Sequence, residues 1–174
     1  MRVWIAAVAA VAVAFGMSGC DYKTPKSHCK KAVYITKKEL RESYPKVVAP
    51  REIEKAAKIY NYRDGDILLI NEENKGIHVI DNRVRKTPKN VAFIEIPGNI
   101  DMAVKNDYLY VDSFTDLLVL DISDIGNIRL VHRKKDLFPY DMYQAERHNG
   151  FDKSGDQCYD YDYTKQDAFV IGYE

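Results

Sequence analysis

The chain has 174 residues and carries 26 Lys and Arg against 26 Asp and Glu, a formal net charge of zero. That balance lacks the basic excess a nucleic-acid binder needs, and the clusters Lys30-Lys31, Lys37-Lys38 and Arg133-Lys134-Lys135 read as solvated surface. The length suits one domain with its own core.

The first element is a leader over residues 1–19. Arg2 supplies a positive charge, residues 3–15 are apolar and rich in Ala and Val, and Gly16-Met17-Ser18-Gly19 leads to Cys20. The apolar run is shorter than the roughly 20 residues of a membrane-spanning helix, so it reads as a secretory signal. It resembles bacterial lipoprotein signals, with Met17 where that family usually has Leu. The resemblance implies acylation of the Cys20 thiol, cleavage just before it, and attachment to the inner or outer membrane through lipid. A plain cleaved signal peptide is the alternative. If Cys20 is acylated, Cys29 and Cys158 remain, and in an oxidising compartment they form a candidate disulfide. Two unpaired thiols are the other reading.

Residues 20–50 read as a tether followed by a short helix. The stretch 21–31 is polar. Thr36-Lys37-Lys38-Glu39 then has the spacing of a capping box, Leu40 and Tyr44 follow at i, i+4, and Pro45 ends the helix after about two turns.

From residue 51 to 174 the pattern is that of strands in blade-like repeats. One unit covers 58–96, with strands at 58–62, 66–71, 76–81 and 90–96. A second covers 100–134, with strands at 100–105, 107–111, 117–122 and 128–133. Asp66 aligns with Asp107 at an offset of 41, and Asp81 with Asp121 at an offset of 40. A partial third unit occupies 140–174, with strands at 140–144, 158–163 and 168–173. Ile67-Leu68-Leu69-Ile70 and Leu117-Leu118-Val119-Leu120 are apolar on both faces, so both strands should be covered twice. No helical crossover separates the strands, which argues against a parallel sheet with helical crossovers. The expected fold is all-β, built of antiparallel four-stranded repeats, partly propeller-like, with one short N-terminal helix.

His78-Val79-Ile80-Asp81 and Leu118-Val119-Leu120-Asp121 resemble the strand that recurs about every forty residues in LVIVD-type β-propeller repeats. The resemblance implies a secreted or surface protein of bacteria, akin to lipoproteins of unknown role, and implies no reaction. A closed propeller takes typically 4–8 blades. Two units and a fraction fit an open stack or sandwich, assembly with copies of itself, or a shortened relative of longer repeat proteins.

The remaining constellations favour bland roles. Asp152, Ser154 and Asp156 alternate like the start of a calcium loop, but Gln157 and Tyr163 stand where Gly and Glu should be. Tyr159, Tyr161 and Tyr163 would share one face of a strand, suited to an edge or to a sugar or protein partner. His28, His78, His132 and His148 lack metal-ligand spacing, and no nucleophile motif, phosphate loop or dinucleotide fingerprint is present. Asp101, Asp107, Asp112 and Asp116 could supply a carboxylate pair for glycoside hydrolysis, but Asp112 and Asp116 read as exposed turn residues. The sequence therefore leads us to expect no catalytic residue, metal or cofactor, and a non-enzymatic binding or scaffold module with a protein or glycan partner. A repeat protein without independent activity is the next reading, and a hydrolase the last.

Overall fold

The structure is a computed structural model that describes residues 30–139, 159, 160, 162, 164, 165 and 167–174. The fold is all-β and antiparallel in its two large sheets, with one short helix and no closed barrel. Its first sheet contains β2 (Lys46–Val48), β3 (Ala56–Tyr62), β4 (Ile67–Glu72), β5 (Gly76–Asp81) and β6 (Lys89–Glu95), in the order β2-β6-β5-β4-β3. The second contains β7 (Met102–Lys105), β8 (Tyr108–Ser113), β9 (Asp116–Asp121) and β10 (Arg129–Lys134), in the order β10-β9-β8-β7.

These two meanders repeat one another down to their irregularities. Val91 is an extra residue between the pairs Val79–Ala92 and Ile80–Asn90, and Val131 is extra between Val119–His132 and Leu120–Leu130. Both are bulges at the same repeat position, bending the outer strand alike. Asp81 accepts from the backbone N–H of Arg83, and Asp121 accepts from that of Ser123, two residues on in each case. The Asp that ends the repeated strand thus turns the chain with its own carboxylate. Asn82 N–H donates to the Asp66 carbonyl and Ile122 N–H to the Asp107 carbonyl, closing both blades identically.

Gly76 opens β5 at φ 142°, and a Cβ there would lie 1.9 Å from the Ile94 carbonyl oxygen. Only glycine permits that approach. At Gly98 a side chain would strike the Phe114 ring at 2.5 Å, so the loop between the blades is packed against the β8–β9 tip.

The N-terminal region holds more strand than its sequence indicated. β1 (Lys30–Thr36) begins at the two lysines read as tether, and it pairs antiparallel with β12 (Ala168–Tyr173) and parallel with β11 (Tyr159–Asp160). The tail strands therefore form a three-stranded sheet around β1 rather than a separate blade. The helix α1 (Lys37–Ser43) follows directly, capped by the Thr36 hydroxyl, which accepts from Glu39 N–H at 3.1 Å. Its Leu40 is buried with Ile35 and Phe169, and the Phe169 ring stacks on Phe114 at 4.3 Å. This small cluster fastens the third sheet to the β8–β9 tip. The expected strand at 140–144 lies outside the described residues.

Candidate functional site

The side-chain period of two gives each blade two faces. Face A of the first blade carries Ile67, Leu69, Ile77 and Val79. Face B carries Leu68, Ile70, His78 and Ile80, with Phe93 opposite His78. By the repeat offsets, face A of the second blade is Tyr108, Tyr110, Leu117 and Val119, and its face B is Leu109, Val111, Leu118 and Leu120.

The main core joins face A of the first blade to face B of the second. Ile67, Leu69, Ile77 and Val79 share one buried cluster with Leu109, Val111, Leu118 and Leu120. Tyr60 OH donates to the Val104 carbonyl and Tyr62 OH to that of Ile122, tying the blades at their margins. The contact is head to tail: two different faces of one repeating unit meet, as between neighbours in a solenoid or propeller.

Among the described residues, that arrangement leaves face A of the second blade without an equivalent cover. Tyr108 is 43% exposed, and Tyr110, Leu117 and Val119 are half-buried. The pairing register lays the face out in rows: Lys105, Tyr108, Asp121 and Arg129; then Ala103, Tyr110, Val119 and His132; then Asp112, Leu117 and Lys134. An apolar and aromatic centre over β8 and β9 is thus bordered by charged groups, Lys105, Arg129 and Lys134 alternating with Asp112 and Asp121. In the first blade Tyr62, Ala92 and Ile94 occupy the places of Lys105, His132 and Lys134, and all three are buried. Among the described residues, β9 is fully buried on one face and half-buried on the other. β5, by contrast, is buried at every residue except Asp81.

Face B of the first blade is covered differently. The segment 50–54 crosses it as a strap. The Arg51 guanidinium stands 3.8 Å from the centre of the Phe93 ring and 3.3 Å from Glu72, and Asn90 Nδ2 donates to the Arg51 carbonyl at 2.7 Å. Beneath lies a buried Glu72–His78 pair at 2.8 Å. With Nε2 donating to Glu72, His78 Nδ1 is left to accept from Asn90. Lys75 bridges Glu72 and Glu54, adding a tie between blade and strap. Burial would raise the Glu72 carboxyl, but bonds from Lys75 and His78 outweigh it and hold the group below its ordinary value. The strap leaves the β3 side of the face open, where Ile59 is 62% exposed.

The four aspartates considered for hydrolysis each have separate partners. Asp101 meets Lys58 and Asp107 accepts from Tyr62 OH. Asp112 accepts from Ile100 and Asp101 N–H and from Asn99. Burial pushes the Asp112 carboxyl up despite those bonds. Asp116 is not an exposed turn residue: it is 1% exposed and lies between Arg41 of α1 and Arg133 of β10, at 2.8 and 3.0 Å. Burial alone would raise its carboxyl, but bonds from Arg41, the Asp136 backbone and Arg133 bring it down to about 2. This cluster clamps the helix to the second blade.

A cleft of about 500 Å³ opens between the blades at the opposite end, lined by Arg63, Asp66, Asp81, Arg83, Ser123 and Asp124 among others. Within it Arg83 lies 2.5 Å from Asp81, and Asp124 accepts from Gly126 N–H. Among the described residues no group of three His, Cys, Asp or Glu could hold a metal ion, and no helix is long and apolar enough to cross a membrane. Cys20, Cys29, Cys158, His28, His148 and the Asp152-Ser154-Asp156 stretch lie outside the described residues.

Sequence reasoning missed both the open face and the Asp116 clamp. The signals were present in the repeat: Tyr110 stands where the first blade has Leu69, Lys134 where it has Ile94, and Asp116 where it has Gly76. No protein-family model, curated protein or solved structure matches the chain.

Proposed function

We propose that the chain is a non-enzymatic binding or scaffold module of the bacterial cell envelope, anchored by lipid on Cys20 and built on LVIVD-type repeats. Its working surface is face A of the second blade. The supporting observation is that this face keeps an apolar and aromatic centre at positions that the first blade buries against a neighbour. A sheet face left half-covered in this way, with Tyr at its centre and charged residues at its border, has the make-up of a partner surface.

Two measurements test the proposal. Cys20→Ser should move the full chain from the membrane fraction to the soluble fraction; retention on membranes sinks the lipid anchor. Cross-linking on intact cells should yield adducts from probes placed at Tyr108 and not from probes at Glu73, and Val119→Lys should abolish them. Adducts indifferent to Val119→Lys would remove this face as the working surface.

A further inference from the structure

We infer that the occupant of the open face is a second copy of this chain, presenting face B of its first blade, and that the strap 50–54 controls access to it. The inference rests on the reading that face A of the second blade binds a partner. Within one chain, face A of a first blade already packs on face B of a second, so the repeat carries its own interface design. Continuing that contact between molecules places Tyr108, Tyr110, Leu117 and Val119 against Leu68, Ile70, His78 and Ile80 of the next copy.

The substitutions between the blades follow the same logic. At the outer end of the array, face A has gained Lys105, His132 and Lys134 in place of Tyr62, Ala92 and Ile94, and Asp112 in place of Asn71. Face B has gained Glu72 in place of Ser113, at the matching repeat position. Lys105 and Lys134 of one copy can therefore meet Glu72 of the next, whereas the surfaces that meet within the chain are apolar.

The strap explains how such a contact stays limited. A head-to-tail interface that does not close into a ring propagates without end. Arg51 over Phe93, its bridge to Glu72, and the Asn90 bond to its carbonyl occupy the part of face B through which a neighbour would dock. The strap is thus a cap at one end of a two-blade stack whose other end meets no cover among the described residues, in the manner of a terminal repeat. Lifting it exposes Phe93 and removes Arg51 from Glu72, which Lys75 and His78 continue to hold.

Sedimentation of the purified full chain, in mild detergent and across a hundredfold concentration range, tests this. Arg51→Ala should bring the onset of association to a concentration at least tenfold lower than wild type, with a ladder of species rather than a dimer alone. Adding Val119→Lys should return the protein to monomer. Glu54→Ala, which loosens the strap without touching the blade, should shift the onset in the same direction, and circular dichroism establishes that each variant is folded. If Arg51→Ala and Glu54→Ala are both folded and as monomeric as wild type, the inference is overturned. A closed dimer insensitive to the strap also overturns it, in favour of pairing between two A faces. Strict monomers that still give Val119-dependent cross-links in cells would overturn this inference alone, leaving the binding-module reading with residues 140–158 or another protein as occupant.

Discussion

The two blades share their hydrogen-bond register, their bulge and their Asp-ended strand, yet they bury different faces. In the first, face A lies in the main core and face B lies under the strap. In the second, face B lies in that core and face A meets no equivalent cover among the described residues. A repeat of backbone is thus compatible with opposite solvent histories for matching side chains. The difference resides in position within the array: an inner unit has two neighbours, and an end unit must be capped, occupied or polar.

Truncating matching residues tests this contrast most directly. Leu69→Ala removes a side chain with no exposed surface from the joint between blades and should cost about 3–4 kcal/mol. Its counterpart Tyr110→Ala should cost about 1 kcal/mol or less under conditions where the chain is monomeric. Urea unfolding of both variants measures the pair, and equal losses would mean that the two A faces are equally buried in solution.

The clamp at Asp116 has no counterpart in the first blade, where Gly76 occupies the place. Asp116→Ala leaves Arg41 and Arg133 without their shared carboxylate and should cost about 3 kcal/mol. The pH dependence has a definite sign. Because the folded-state value is depressed to about 2, the stabilisation is complete above the ordinary carboxylate value near 3.9 and is lost as pH falls toward 2. The gap between wild type and Asp116→Ala in urea should therefore narrow from pH 6 to pH 2.5. A gap that widens on acidification would contradict the clamp.

Much of this fold was legible before any coordinates. The strand at 76–81 and the tail strand at 168–173 occupy their expected bounds, and the offset of 40 carries Lys89 onto Arg129, the first residues of β6 and β10. The helix was legible because its cap is local, with Thr36 and Glu39 three residues apart. β1 was hidden because its partner Ala168–Tyr173 is more than 130 residues distant and its opening lysines look like tether. β2 has only three residues and no period to detect. The open face was hidden for another reason. Alternation identifies two faces of a strand, but which one is covered depends on the position of the blade in the stack, which no single strand records.

Face B of the first blade offers a smaller test. His78 stands where the second blade has Leu118, and Glu72 where it has Ser113. His78→Leu should cost about 2 kcal/mol, since it leaves the buried Glu72 with one charge-assisted bond fewer. Adding Glu72→Ser should recover part of that loss, because removing both members of a buried polar pair is gentler than removing one. A double-mutant cycle reads the coupling, and strict additivity would mean that the pair contributes nothing as a pair.

The smallest effect belongs to the helix cap. Thr36→Ala removes the acceptor for Glu39 N–H and should cost about 1 kcal/mol. The cap also bears on the comparison between blades, because α1 is tied to the second blade through Arg41. Fraying the first turn loosens the base from which Arg41 reaches Asp116, so the cost of Thr36→Ala should fall when Asp116→Ala is already present. The two residues share no direct contact, and independent sites at that separation add within about 0.3–0.5 kcal/mol. A cap effect unchanged by loss of Asp116 would mean that the Ile35, Leu40 and Phe169 cluster, rather than the clamp, holds the helix in place.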